Sequence, residues 1–139
     1  MTDNALLAVY QQWIDALNAH DPSIIDRLYS PDFVEHNPPA SLPTDADYLQ
    51  LLKSGFERMF SNVPDYRIEL LNSVVQGDQV AFYQVITGTH QGTIMNTPAT
   101  GNAIRLLESG IVRIENGQFA ERWLLQDRLG LAQQIGAQV

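Results

Sequence analysis

The chain has 139 residues, of which 16 are acidic and 8 are basic, and its formal net charge is −8. Lys and Arg form no cluster, so we do not expect a nucleic acid partner, because a phosphate backbone is bound by a basic surface. The absence of cysteine excludes disulfides, thiolate nucleophiles and cysteine metal sites. The length suits one domain over residues 1–139. Since neither a signal peptide nor a run of about 18 apolar residues is visible, we expect a cytoplasmic protein with no membrane partner.

Three helices are predicted in the first half of the chain. The first covers about residues 4–19, where apolar side chains recur every three or four positions. The second would have Asp21 as its N-cap and Pro22 in its first turn, and would end before Ser30. The segment "FVEHN" is a short extended piece, and "PPASLPTDAD" is a loop in which Thr44 and Asp47 form a capping box for the third helix. The apolar face of that helix comprises Tyr48, Leu51, Leu52, Phe56, Met59 and Phe60.

From Tyr66 onward the apolar residues alternate, which predicts four β-strands. The first begins at Tyr66, and the others are "VAFYQVITGTH", "AIRLLESGIVRI" and "QFAERWLLQ". "QGDQ" and "ENGQ" are short hairpin links, so consecutive strands should pair antiparallel, whereas residues 91–102 predict a longer mobile loop. A short helix, "RLGLAQQIG", closes the chain. The fold class is therefore α+β, with a curved, mainly antiparallel sheet around three N-terminal helices.

Strands two and three are apolar on both faces, so each face needs cover. The helices cover one face. We expect a second copy of the chain to cover the other, which predicts a homodimer or higher homo-oligomer.

Candidate catalytic residues are polar side chains on otherwise apolar faces, because the common catalytic motifs are absent. Three positions qualify, each at the end of an element: His36, His90 and Asp127. Alternation places Asp127 in line with Trp123 and Leu125, which indicates a pocket, but its position before the last helix is also that of an N-cap. The histidines lack metal-ligand spacing, so we predict no metal site.

Several further residues are predicted to surround a pocket or to form ion pairs. Glu121 is expected to pair with Arg113 on the adjacent strand, although a pocket position is the alternative. The predicted pocket lining comprises Trp123, Leu125, Phe82, Gln84, Tyr10, Trp13, Phe56, Met59 and Arg105.

An ordered set of segments resembles the SnoaL-like polyketide cyclase family, also called ester cyclases. The segments are "EHNPP", "GDQVAF", "GTHQG", "PATG", "VRIENGQFAERW" and Asp127 followed by "LGLAQQIG". The resemblance covers nearly the whole chain and implies the cone-shaped α+β barrel of the nuclear-transport-factor-2-like superfamily. The family commonly has a basic residue where this chain has Asn102. This difference leaves the identity of the substrate open.

The resemblance also implies a chemistry. Asp127 matches the family's acid/base for an intramolecular aldol ring closure, which uses no metal and no organic cofactor. His36 and His90 match pocket histidines, and either would donate a hydrogen bond to the developing oxyanion. The expected ligand is an apolar, carbonyl-rich small molecule.

Two alternatives remain open. The chain could be a small-molecule-binding protein of the same fold without turnover, or an isomerase, dehydratase or epoxide hydrolase relative, since one fold supports several reactions.

Overall fold

The computed structural model describes residues 1–38 and 47–138. Its elements in chain order are α1 Asp3–Asn18, α2 Ile24–Leu28, β1 Tyr29–Glu35, α3 Tyr48–Asn62, β2 Arg67–Gln76, β3 Gln79–Thr89, β4 Ala103–Glu115, β5 Gln118–Gln126 and α4 Arg128–Ile135. The strands form one curved sheet in the order β1-β5-β4-β3-β2. The predicted α+β class is confirmed.

The four predicted strands pair antiparallel in sequence order, as expected from their short links. Asn116 and Gly117 both adopt positive φ, 52° and 74°, which is the backbone geometry that a two-residue hairpin turn requires. One further strand, β1, was not predicted as part of the sheet. The predicted extended piece "FVEHN" starts inside β1 and runs two residues past its end, and β1 pairs parallel with β5. Since β1 and β5 lie at opposite ends of the chain, no local pattern indicates this pairing.

Helix α1 supplies most of the cover for the inner face of the sheet. Its predicted apolar stripe is buried: Leu6, Val9, Tyr10, Trp13, Ile14 and Leu17. Thr2 caps the helix by accepting a hydrogen bond from the backbone N–H of Ala5 at 3.1 Å.

Two predicted helix starts need correction. Asp21 does not cap α2; its Oδ1 accepts hydrogen bonds from the backbone N–H and the hydroxyl of Ser23, at 3.1 and 2.6 Å, and closes a turn before the helix begins at Ile24. In α3 the N-cap is Asp47 itself, which accepts from the backbone N–H of Gln50 at 3.3 Å. Thr44 and residues 39–46 of the predicted Pro-rich loop lie outside the described residues.

The apolar face of α3 is only partly covered. No side chain of α3 is fully buried, although Phe56, Met59 and Phe60 pack against the core. The inner face of the sheet is therefore closed at α1 and left more open at α3.

Strand β5 contains a β-bulge that decides which side chains face inward. Arg113 pairs with Glu121, but the next residue of β4, Ile114, pairs with Phe119, so Ala120 is the extra residue. Phe119 is thereby completely buried, while Glu121 and Trp123 face outward. The alternation that places Trp123 and Leu125 on one face would also place Phe119 there, but Phe119 faces inward because Ala120 is an extra residue in the strand.

Helix α4 lies beside the first residues of β4, which extend past the end of β5 and, within the described residues, have no strand neighbour on that side. The Gln134 side chain accepts from the backbone N–H of Arg105 at 2.7 Å and donates to its carbonyl at 2.8 Å, and so replaces a strand neighbour. Among the helices of the described ranges, none has the length and apolar character needed to cross a bilayer.

Candidate functional site

A cleft of about 250 Å³ lies where α3, β4, β5 and the start of α4 meet. Its apolar wall includes Met59 from α3, Leu106 from β4 and Leu131 from α4. A turn between β3 and β4 contributes Ile94 and Met95. The polar and charged wall residues are Arg58, Asn62, Thr93, Gln126 and Arg128.

A second concavity, of about 400 Å³, lies beside the two hairpin turns and is lined by residues such as Gly77, Asp78 and Gly117. Among the described residues that line it, Asp78 has the one titratable side chain. The cleft at α3 is the better candidate, because convergent polar groups and apolar walls are typical of ligand sites.

Asp127 is exposed and caps α4. Its Oδ1 accepts a hydrogen bond from the backbone N–H of Gly130 at 2.9 Å, and its own N–H donates to the carbonyl of Leu107 at 2.9 Å. The predicted apolar surroundings are wrong: Leu125 is 70% exposed and faces the outer side of the sheet. Asp127 nevertheless stands between Gln126 and Arg128, which both line the cleft. Its catalytic role stays a prediction.

Gly130 determines whether the carboxylate of Asp127 can keep this position. A Cβ at Gly130 would lie 2.3 Å from Asp127 Oδ2, whereas a Cβ at Gly55 in α3 would meet nothing closer than 3.8 Å.

We therefore expect opposite effects from two helical glycine-to-alanine substitutions. Gly55→Ala should raise the free energy of unfolding by about 0.5 to 1 kcal/mol, because alanine is the better helix residue. Gly130→Ala should lower it by about 1 kcal/mol, because the lost cap and the clash of the new Cβ with the Asp127 carboxylate outweigh the better helix propensity of alanine. Urea denaturation measures both. Stabilisation by Gly130→Ala would show that the cap contact is unimportant.

His36 lies on the outer side of the sheet, away from the cleft. Its ring stacks on Trp123 with centroids 4.3 Å apart, and its Nε2 lies 2.8 Å from Glu121 Oε1. Glu121 also accepts from Arg113 Nε at 2.6 Å, so the predicted ion pair is present. The hydrogen bond from Arg113, and then that from His36, lower the pKa of Glu121. The predicted pocket positions of His36 and Trp123 are wrong, because the bulge in β5 directs Trp123 outward.

His90 is completely buried and anchors the loop that follows β3. Its Nδ1 lies 2.9 Å from Thr100 Oγ1, and its Nε2 lies 3.2 Å from the carbonyl of Thr97. The turn between Ile94 and Thr97, which borders the cleft, is held in this way. Both ring nitrogens are engaged within the loop, so His90 positions a wall of the cleft. Its role as an oxyanion donor stays a prediction.

The other predicted pocket residues fall into three groups. Met59 lines the cleft, and Phe56 is half-buried on the same helix. Arg105 is exposed and is not among the residues that line the cleft, so its predicted place in the pocket lining is wrong. Four are buried inside the cone: Tyr10, Trp13, Phe82 and Gln84.

A buried polar network, which the sequence analysis missed, lies behind the cleft. Gln84 Nε2 donates to Glu108 Oε1 at 2.8 Å, the Tyr10 hydroxyl donates to Gln84 Oε1, and Gln126 Nε2 donates to Glu108 Oε2. Burial, and then the charge of Glu108, raise the pKa values of Tyr10 and Tyr66 well above the usual value. Alternation could have identified Glu108, because apolar residues at alternate positions of β4 around it face the same buried side of the strand.

A second buried network was also missed. Arg122 Nε donates to Glu35 Oε2 at 2.7 Å, and the hydroxyls of Tyr29 and Tyr48 complete the group. Burial raises the pKa of Tyr48 to about 12. Arg122 is therefore a charge that is both paired and buried.

Within residues 1–38 and 47–138, no group of three or more potential metal-ligating side chains is present.

A family model described as SnoaL-like polyketide cyclase matches residues 7–135. TsrD from Streptomyces laurentii is 27% identical, with a TM-score of 0.84 and 99% of both chains covered. AclR from Streptomyces galilaeus, a proposed hydroxylase, is 25% identical, with a TM-score of 0.83 over 99% of this chain and 89% of that one. IdmH from Streptomyces antibioticus, a proposed polyketide cyclase, has the same fold at 23% identity, with a TM-score of 0.79 over 95% of this chain and 99% of that one. No curated protein matches significantly. The resemblance and the cone-shaped α+β fold are confirmed.

Proposed function

Because the chain belongs to the SnoaL-like polyketide cyclase family, we propose that it is a cofactor-independent acid/base enzyme for an apolar, carbonyl-rich small molecule. The observation that carries the proposal is a cleft of small-molecule size with a carboxylate, Asp127, between two residues of its wall. At about 250 Å³ the cleft is just below the usual size range of ligand sites, so part of a larger ligand would project through the open side.

Asp127 is the proposed acid/base. Oδ1 holds the helix cap, and within the described residues Oδ2 accepts no hydrogen bond, so one oxygen remains available. Oδ2 would remove a proton from a carbon between two carbonyls, and the resulting enolate would attack a second carbonyl of the same molecule. The new C–C bond leaves an alkoxide, to which Asp127 returns the proton.

The negative charge of the enolate and the alkoxide needs stabilisation. Arg58 and Arg128 line the cleft, and their guanidinium groups are suited to this, whereas His36 is on the other side of the sheet. A positioned proton transfer contributes about 10² to 10⁴ in rate, so the substrate must be an already activated methylene compound.

Methyl benzoylacetate, an apolar β-keto ester, offers a test without knowledge of the natural substrate. We expect the wild-type protein to accelerate deuterium exchange at its methylene group, followed by NMR, and Asp127→Asn to reduce the rate about 100-fold. Asparagine is also a good N-cap, so the helix should be retained. Asp78→Asn, an exposed change beside the other concavity, is the matched control.

Equal rates for wild type and Asp127→Asn would eliminate Asp127 as the base. The exposure of Asp127 favours one alternative, a protein that binds such a molecule without turnover. Binding without accelerated exchange by the wild-type protein would select that alternative.

The outer sheet face supports the proposed homo-oligomer. Its exposed apolar side chains include Leu125 at 70%, Val74 at 64%, Tyr83 at 43% and Ile111 at 38%. Burying these against a second copy would remove apolar surface from water. A monomer in light scattering at micromolar concentration would contradict this proposal.

A further inference from the structure

Glu108 is a buried carboxylate that the proposed mechanism does not use. It is 5% exposed and lies on the inner face of β4, two residues from Leu106, which forms part of the cleft wall. Its same-face neighbours along β4 are Leu106 and Gly110, and burying a charged group there is costly unless hydrogen bonds compensate. A carboxylate in this place is therefore a candidate for a role beyond packing.

The hydrogen bonds around Glu108 all point toward it. The Tyr10 hydroxyl donates to the side-chain Oε1 of Gln84, the Gln84 side-chain amide donates to Glu108 Oε1, and the Gln126 side-chain amide donates to Glu108 Oε2. Hydrogen bonds that follow one another in a chain strengthen each other, and the carboxylate at the end of this chain is a strong acceptor because it is charged. Glu108 is thus organised as an acceptor from two sides.

Glu108 has spare accepting capacity, and the route to it passes through Gln126. A carboxylate offers about four lone-pair positions, of which the two amides occupy two. Gln126 is exposed and lines the cleft, so its amide separates the ligand space from Glu108 Oε2. A rotation of this one side chain would uncover the carboxylate.

We propose that Glu108 accepts a hydrogen bond from a neutral enol or phenol hydroxyl of the ligand, reached when the Gln126 amide moves aside. The inference rests on the cleft being the ligand site of the proposed function. Compounds with a methylene between two carbonyls exist partly as enols, which carry such a hydroxyl. The ionised enolate or phenolate is disfavoured at the same position, because two negative charges would then meet without a shared proton.

Para-nitrophenol is a suitable probe, because its neutral and ionised forms absorb at different wavelengths and it has no exchangeable methylene. Binding is measured by equilibrium dialysis across the pH range of its ionisation. We expect the wild-type protein to bind the neutral form, with an affinity that falls about tenfold per pH unit once the phenol ionises in solution. The spectrum of the bound fraction should remain that of the neutral form.

Three variants separate ligand binding from a purely structural role. Glu108→Gln keeps the shape and should weaken binding of the neutral phenol about tenfold or more, since hydrogen bonds to charged acceptors are the strong ones. Gln126→Ala should tighten binding several-fold, because no amide needs to be displaced. Glu115→Gln, an exposed carboxylate change on the same strand, should leave binding unchanged.

The proposal is overturned if the wild-type protein binds no para-nitrophenol at millimolar concentration, or if it prefers the ionised form. Unchanged binding by folded Glu108→Gln would also overturn it. If circular dichroism shows that Glu108→Gln does not fold, Gln126→Ala decides, and unchanged or weaker binding contradicts the proposal. Phenol binding without deuterium exchange would refute the proposed function alone, and exchange without phenol binding would refute this inference alone.

Discussion

Arg122→Met is expected to lower the free energy of unfolding by about 3 to 5 kcal/mol, because it leaves Glu35 buried without its counter-charge. The two side chains are only 5% and 3% exposed, and their contact measures 2.7 Å. Arg122 also donates to the Tyr29 hydroxyl at 3.3 Å and lies 5.8 Å from the centre of the Phe33 ring. Since folded domains have a total stability of about 5 to 15 kcal/mol, this substitution should remove a large part of it.

Two further variants show whether the isolated charge is the cause. Arg113→Met breaks a shorter but more exposed ion pair, 2.6 Å from Glu121, and should cost less than about 1 kcal/mol. The double variant Glu35→Met with Arg122→Met should recover most of the loss, because apolar pairs often replace buried ion pairs without penalty. Urea denaturation gives the three values. A cost for Arg122→Met no larger than that for Arg113→Met would contradict the interpretation.

Tyr10 and Tyr66 are expected to make the fold sensitive to alkaline pH. Burial is the main cause that raises the pKa of each, and the charge of Glu108 adds to it. In the unfolded chain tyrosine ionises near pH 10. Their contribution to stability is therefore complete below pH of about 10 and is lost as the pH rises from there through the folded pKa, at about 1.4 kcal/mol per pH unit for each tyrosine.

At neutral pH, substitution by phenylalanine should change the free energy of unfolding by different amounts at the two positions. Tyr10→Phe leaves the buried side-chain Oε1 of Gln84 without its donor and should cost about 1 to 3 kcal/mol. Tyr66→Phe should cost less, because within the described residues the Tyr66 hydroxyl has no hydrogen-bond partner to lose. Tyr83→Phe, 43% exposed on the outer face, should change stability by less than about 0.5 kcal/mol.

Each of the two buried substitutions should also reduce the loss of stability above pH of about 10, since phenylalanine cannot ionise. The measurement is the free energy of unfolding in urea at several alkaline pH values. A pH dependence that neither Tyr10→Phe nor Tyr66→Phe alters would contradict the account of the buried network.

Most of the regular structure could be predicted, because it depends on local periodicity. The bounds of β5, Gln118–Gln126, coincide with the predicted fourth strand, and the Asn116–Gly117 turn follows from the positive φ that both residues tolerate. The parallel pairing of β1 with β5 could not be predicted in the same way, because it joins segments from opposite ends of the chain.

The candidate site was harder to predict, because alternation shows which residues share a face but does not show which face is the interior. Glu121, Trp123 and Leu125 do share a face, and it is the outer one. Asp127 follows this run, which predicts a pocket position, whereas in the structure it caps α4 at the edge of the cleft.

Glu108 was detectable by the reasoning that selected His36, His90 and Asp127. It is a charged residue on the buried face of β4. It was missed because both parities of that strand are rich in apolar residues, so neither face stood out as the inner one.

An NMR titration would locate the ligand site on the protein. Two-dimensional amide spectra of isotopically labelled protein would be recorded with increasing methyl benzoylacetate. We predict that the largest shifts occur around the cleft, at Met59, Met95 and Leu106. The largest shifts at Gly77 and Gly117 in the other concavity, or at Ile111 on the outer sheet face, would contradict the account.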